Sequence, residues 1–465
     1  MVDDTRKWWA LTAIGSGVLL STIDGSIVNI ALNTLVTAFE TNLNNAEWVV
    51  LAYLLTLTCL LLLMGRLGDM FGKRRVYVAG FVIFTVASVL CGMAPNIGML
   101  IAFRVVQAVG AAMIQAVGPA LLVTAFPPNQ RGLAMGATGS FVALGILLGP
   151  ALGGILLRYV GWESIFYVNV PVGIVGTWLA LRYIARDTQT KPGQVFDVAG
   201  ALLLMASIFG LLFALTEGPI WGWGDARILG LLALFVLAGA GFLGWESRVA
   251  QPMINLRIFR SPPFSLNLLA GFIVFIGMSF SLLLTPLFLQ LVYQLELQQT
   301  GFFLMAMPLS LSLVSPLSGR LSDQVGSRAL TVSGLITIAV GLLGISFTGV
   351  ATPMYQLILF LMLMGVGIGL FQSPNNSTVM GNAPPEALGV AGGLLAVMRT
   401  LGQTAGIAIA GAVWASQVLA IGGPVEPVTA ASPQVLAEAF AVAMRIAAGV
   451  ALVAVVPSLV GGRKG

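Results

Sequence analysis

Residues 19–33 read Leu-Leu-Ser-Thr-Ile-Asp-Gly-Ser-Ile-Val-Asn-Ile-Ala-Leu-Asn, an apolar run that carries one carboxylate, Asp24. A lone charge in hydrocarbon is costly, so such a group is protonated, paired with a cation, or held in a water-filled cavity. Each outcome suits a group that takes up and releases protons. The plainer alternative is a hydrogen bond to a neighbouring helix. A second ionisable group, Arg104, lies in another apolar run, 97–122. At 1.5 Å per residue, both groups fall roughly 20 Å from the same face of the bilayer. A carboxylate and a guanidinium at one depth can neutralise each other. When Asp24 holds a proton, Arg104 is left to Gln107 or a backbone carbonyl. One proton then biases two arrangements, and a static pair that only fixes helix packing is the competing reading.

Other polar side chains recur inside apolar runs. Asn29, Asn33, Gln107, Gln115, Asn169 and Gln290 are expected to line a cavity, with some of them only joining helices. The same holds for Asn267, Gln372, Asn375, Asn376 and Gln403, and Phe371 is singled out beside Gln372. Arg399 is an intramembrane arginine with no acidic residue in its own run. Two readings fit it: a helix-packing donor to carbonyls, or a group that attracts an anion.

These residues need long helices to hold them. The 465 residues are 58% hydrophobic and 8% charged, against about 25% charged in soluble domains. Apolar runs near 20 residues cross a bilayer as helices, because only a helix satisfies its own backbone there. No alternating strand pattern suggests a β-barrel. Spans are predicted at 8–32, 47–66, 76–95, 97–122, 132–157, 163–184 and 197–216. Seven more follow at 227–246, 263–291, 299–319, 328–349, 355–375, 388–415 and 436–460. Fourteen spans leave both termini on one side. Of the 22 Lys and Arg, only Arg158, Arg227 and Arg445 fall on the opposite side, and Arg104 and Arg399 lie within spans. The rest, including Arg6, Lys7, Lys191, Arg463 and Lys464, cluster with the termini, which the positive-inside rule places in the cytoplasm.

Several chemistries are excluded or unsupported. There is no histidine, and Asp24 is the one carboxylate expected deep in a span, so an embedded enzyme or a metal site lacks its groups. No cofactor is expected. No Gly-x-x-x-x-Gly-Lys-Ser/Thr loop supports ATP-driven pumping. Cys59 and Cys91 sit in apolar runs and imply no disulfide framework. The dispersed basic residues do not suggest nucleic acid.

The chain repeats itself. Residues 65–74, Gly-Arg-Leu-Gly-Asp-Met-Phe-Gly-Lys-Arg, match residues 319–328, Gly-Arg-Leu-Ser-Asp-Gln-Val-Gly-Ser-Arg, at Gly65, Arg66, Leu67, Asp69, Gly72 and Arg74. The copy supplies Gly319, Arg320, Leu321, Asp323, Gly326 and Arg328. Asp69 and Asp323 can each cap a helix N-terminus, where a negative charge is favoured. Arg75 adds to the basic end. Two related halves with a site between them are a common transporter plan. Each half has six spans if the pair at 197–246 is an insert, bounded by a polar linker at 186–194 and by Pro252, Pro262 and Pro263. The expected division is 1–190, an N-terminal six-helix bundle; 191–250, a two-helix insert; and 251–465, a C-terminal six-helix bundle.

Five motifs carry a family resemblance. Asp24-Gly-Ser-Ile-Val-Asn-Ile-Ala-Leu32 and Gly65 to Arg75 are followed by Arg104-Val-Val-Gln-Ala-Val-Gly-Ala-Ala112. Gly145-Ile-Leu-Leu-Gly-Pro-Ala-Leu-Gly-Gly154 and Trp162-Glu-Ser-Ile-Phe-Tyr-Val-Asn-Val-Pro-Val-Gly173 complete the set. In this order they resemble the major facilitator superfamily, and within it the fourteen-helix drug:proton antiporters. Ser26, Asn33, Met70, Ala108 and Glu163-Ser164 depart from the usual residues. The resemblance implies an all-α integral membrane protein with two pseudo-symmetric six-helix bundles plus the insert. It also implies a cytoplasmic gate around the 65–75 loop and its copy, and an antiporter role for Gly149, Pro150 and Gly153. Close helix packing is the other reading of those small residues.

The expected function is proton-coupled export of lipophilic or amphipathic small molecules by alternating access. The expected partners are protons, the bilayer and an amphipathic or lipid-like substrate, handled by a monomer in a cytoplasmic membrane of bacterial type. A neutral or monocationic substrate fits a single deep carboxylate. Arg104 and Arg399 keep an anionic amphiphile in play, such as a lysolipid, fatty acid or acidic metabolite.

Overall fold

The computed structural model describes residues 4–186, 195–423 and 428–461. The linker residues 187–194, with Lys191, and the terminal Arg463 and Lys464 lie outside them. Among the described residues, fourteen helices are long and apolar enough to cross a membrane. The first six are α1 (Thr5–Ala38), α2 (Leu43–Phe71), α3 (Lys73–Gly92), α4 (Ile97–Ala125), α5 (Pro128–Tyr159) and α6 (Ser164–Tyr183). Next come α7 (Val198–Trp221) and α8 (Ala226–Glu246). The last six are α9 (Pro262–Leu291), α10 (Gln298–Val325), α11 (Ser327–Ile345), α12 (Met354–Gly381), α13 (Pro385–Gly422) and α14 (Pro433–Gly461).

Each helix corresponds to a span predicted from hydropathy. Most run a turn or more past the apolar window, because polar residues outside the hydrocarbon continue the helix. The starts are fixed by side chains that accept from unpaired first-turn N–H groups. Asn42 accepts from the Asn45 N–H, Asn96 from Met99, and Ser432 from Val435. Three helices break in mid-course for one reason. Pro171, Pro308 and Pro457 have no N–H to give the carbonyl four residues back. The helix is interrupted three residues before each, at Val168, Met305 and Ala454.

The packing repeats with a shift of eight helices. In the first half α1 lies on α5 and α6, α3 on α4 and α6, and α2 on α4. In the second, α9 lies on α13 and α14, α11 on α12 and α14, and α10 on α12. The halves meet where α2 packs on α13 and α5 packs on α10. α7 and α8 pair with each other, and α7 rests on both α2 and α13, across one of those seams. Phe213 of α7 meets Trp48 of α2 with ring centroids 5.7 Å apart.

Candidate functional site

Asp24 is fully buried and accepts three hydrogen bonds. Arg104 Nη1 donates to its Oδ2 at 2.7 Å, while Gln107 Nε2 and Asn169 Nδ2 donate to its Oδ1 at 2.9 Å each. Two helices therefore converge on α1 at Asp24. α4 brings Arg104 and Gln107 one turn apart, and α6 brings Asn169 at the residue just past its break. The expected pair exists, and it sits in a larger network. Arg104 Nη1 also donates to Gln107 Oε1 at 2.6 Å, and its Nε donates to the Val49 carbonyl at 3.1 Å. Gln107 Nε2 reaches Ser88 Oγ at 2.8 Å. The guanidinium lies 4.1 Å from the Tyr53 ring centroid and 5.8 Å from that of Phe166.

This arrangement holds the ionised carboxylate, since every neighbour donates and an ionised carboxyl only accepts. Three of the carboxylate's roughly four acceptor sites are filled in this way, and one on Oδ2 is left. Asn169 and Gln107, expected along a cavity, are instead direct partners of Asp24. Tyr53 and the Val49 carbonyl carry no sequence signal for their roles.

The face of α1 turned away from Asp24 is polar and open at Asn29 and Asn33. Asn29 and Asn33 are exposed, and a side chain at Gly25 would meet nothing within 4 Å. Further back along this face of α1, at Thr22 and Ser26, α5 approaches through its small residues. A methyl at Gly145 would stand 2.6 Å from Thr22 Cβ, one at Gly153 would stand 2.9 Å from Ile27, and Gly149 lies against Ser26 with no room for one. Pro150 lies inside α5 at this contact.

The halves are clasped at the end that carries the termini. Asp69, at the end of α2, accepts from the Gly389 and Val390 N–H groups at the start of α13, at 2.8 and 3.0 Å. Lys73 lies 3.0 Å from the same carboxylate. Asp323, at the end of α10, accepts from the Gly132 and Leu133 N–H groups at the start of α5, again at 2.8 and 3.0 Å. Beneath each carboxylate two glycines put backbone on backbone: Gly65 on Gly389, and Gly319 on Gly132. Gly72 and Gly326 turn the chain to the next helix at φ +107° and +86°, where other residues are strained. Two turns further in, Ser140 Oγ donates to the Ser312 carbonyl at 2.7 Å.

The basic residues of the repeats do less. Arg74 donates to the Leu181 carbonyl within the first half. Arg75 and Arg320 are exposed and Arg66 and Arg328 half-buried. Within the two repeats, the hydrogen bonds seen across the seam run from backbone N–H groups to the carboxylates.

The remaining cavity candidates divide. Arg399 Nη2 donates to Gln115 Oε1 at 2.8 Å, joining α13 to α4 across the halves. Gln290, Gln372, Asn376 and Gln403 are half-buried, and Asn375 is buried with its Oδ1 unpartnered. Asn267 donates to the Gly461 carbonyl at 3.1 Å and joins α9 to α14. Phe371 does not line a cavity. Its side chain is 2% exposed in the apolar core of the second half, because its face of α12 turns away from Gln372.

Comparison with known proteins agrees with this architecture. The sequence profile of the Major Facilitator Superfamily matches residues 14–407. The riboflavin transporter RibZ of Clostridioides difficile is 35% identical over 404 residues, 87% of each chain. The tetracenomycin C resistance and export protein of Streptomyces glaucescens is 33% identical, over 89% of this chain and 77% of its own. The crystal structure of the human organic anion transporter MFSD10 superposes with a TM-score of 0.65 at 14% identity, over 97% of this chain and 99% of that one. That likeness is one of fold. The chain belongs to the major facilitator superfamily and is a membrane transporter, with antibiotic-export and multidrug-resistance proteins among its relatives.

Proposed function

We propose that this transporter exports amphipathic small molecules in exchange for protons, with Asp24 as the proton carrier and Arg104 as its switching partner. The observation that carries the proposal is the buried Asp24, which accepts hydrogen bonds from Arg104, Gln107 and Asn169 inside the first half. The export and resistance functions named for several relatives support the direction and the broad substrate class.

In this reading the three units are 1–190, 191–250 and 251–465, and the first and last rock against each other. The basic end lies in the cytoplasm, so the Asp69 and Asp323 clasps close the cytoplasmic gate while the polar face of α1 meets the outside. A proton arriving from outside neutralises Asp24 and frees Arg104 toward Gln107 and the Val49 carbonyl. The change at α1 reaches α5 through the contacts of Thr22, Ser26 and Ile27 with Gly145, Gly149 and Gly153. α5 in turn carries Gly132 and Ser140, which hold α10. The cytoplasmic gate opens, the proton leaves inward, and substrate enters in its place.

The test is transport by purified protein in proteoliposomes, with a pyrene-labelled amphiphile as probe. Accumulation that follows an imposed pH gradient and collapses with a protonophore is expected. Equal flux with and without the gradient contradicts the coupling.

A further inference from the structure

Arg399 stands 11 residues into the helix Leu388–Gly422, well inside the membrane-spanning length. Among the described residues its one hydrogen-bond partner is the neutral Gln115 Oε1, at 2.8 Å, and no carboxylate lies within ion-pairing distance. The carboxylate of the proton site and those of the two clasps are engaged elsewhere. Asp24 is held by Arg104, Asp69 by the start of α13 and Lys73, and Asp323 by the start of α5. A guanidinium always carries its charge, and an intramembrane charge needs a counter-charge or water. Arg399 is half-buried and so keeps an accessible face. Gln403, one turn further along α13 and on the same side, is also half-buried.

The position relative to the proton site matters as much as the charge. Arg104, Gln107 and Gln115 fall on one face of α4 by helical periodicity. The first two hold Asp24, and the third holds Arg399. Gln115 is eight residues from Gln107, about 12 Å nearer the clasped end. One polar stripe on α4 therefore joins the proton site to an uncompensated cation on the opposite half.

We propose that Arg399 binds the acidic group of the substrate, and that the transported molecules are amphiphiles bearing a carboxylate or phosphate. Gln115 occupies the guanidinium when no substrate is present. An incoming anion displaces Gln115 because it brings a counter-charge and can accept from the guanidinium bidentately, which the neutral amide oxygen cannot match. On release to the outside the guanidinium returns to Gln115, which restores that bridge between α4 and α13. The apolar body of the molecule remains free to lie along the hydrophobic surface. This assignment rests on the reading of the chain as an exporter of amphiphiles, and it narrows the substrate to one charge class.

The test is equilibrium binding without any gradient, so it does not depend on proton coupling. Full-length protein in nanodiscs of zwitterionic lipid is titrated with twelve-carbon probes that share a chain: a carboxylate, a phosphate monoester, an alcohol and an amine. Thermal unfolding reports binding, because a ligand of the folded state raises its apparent stability. The carboxylate and the phosphate monoester are expected to stabilise the wild type, and the alcohol and amine to fall roughly tenfold or more behind, the difference of one charge-assisted contact. Arg399→Gln removes the preference for the acids while keeping the response to the alcohol, and Arg399→Lys restores part of it. Stabilisation by one acid and not the other assigns the headgroup. Equal binding of acid and alcohol by the wild type, or an acid preference undiminished in Arg399→Gln, overturns the assignment. Failure of proton-driven flux, with the acid preference intact, counts instead against the antiport reading.

Discussion

At the scale of single residues, Arg104 does three jobs at once. It neutralises Asp24, donates to the Val49 carbonyl of α2, and stacks on Tyr53. Arg104→Ala leaves a buried carboxylate without its counter-charge, a change that costs about 3–5 kcal/mol in other buried pairs. A lowered unfolding midpoint in detergent is the expected result. Removing Asp24 and Arg104 together should cost less than the two single changes added, because the pair is one unit. Strictly additive costs would reduce Arg104 to a packing residue. The pairing was legible in the sequence because two charges interrupt apolar runs at one depth. Asn169, Tyr53 and Val49 were not legible as partners. Their contacts depend on how α6 and α2 are rotated, and hydropathy does not encode rotation.

At the scale of helices, the two clasps are the same device used twice. A carboxylate at the end of one helix accepts the free N–H groups at the start of another, with glycines below to admit the close approach. A charge at a helix N-terminus contributes up to about 2 kcal/mol in partly buried geometry, and every 1.4 kcal/mol is about tenfold in a population ratio. Asp69→Ala should therefore shift the closed population by roughly that factor. Spin labels at Phe71 and Glu386, both exposed on either side of this seam, report it when Cys59 and Cys91 are replaced by serine. A new long-distance population is expected, and an unchanged distribution contradicts the gating role. The sequence indicated the capping role of Asp69 through the dipole argument, and the repeat extended it to Asp323. It also grouped Arg66, Arg75, Arg320 and Arg328 with the gate, and among the described residues none of them makes a hydrogen bond or ion pair across the seam, though Arg320 lines a cavity with Lys7 and Trp8 of the first half. Their clustering follows equally from the charge bias of one membrane face, which hydropathy and charge counts cannot separate from a structural task.

At the scale of the molecule, the eight-helix shift in packing leaves α7 and α8 without counterparts. They cover the α2–α13 seam and leave the equivalent α5–α10 seam bare. Deletion of 197–246 should yield a protein that inserts with twelve spans and keeps its C-terminus on the original side, as read by a reporter fused there. A C-terminus found on the other side would mean that the surplus pair lies elsewhere. The six-of-ten repeat made the two halves legible from sequence, while the position of the insert across one seam required the packing itself.

The central claim is that Asp24 couples protons to transport, and the most direct measurement separates coupling from movement. Asp24→Asn keeps the shape of the side chain and removes the charge, and its one carbonyl oxygen can still accept from Arg104 on the Oδ2 side. Proteoliposomes carrying wild type or Asp24→Asn are compared in two modes: accumulation of a pyrene-labelled amphiphile under a pH gradient, and exchange of labelled for unlabelled amphiphile with no gradient. The account predicts that the variant retains exchange and loses gradient-driven accumulation. Accumulation at the wild-type level in Asp24→Asn would contradict it.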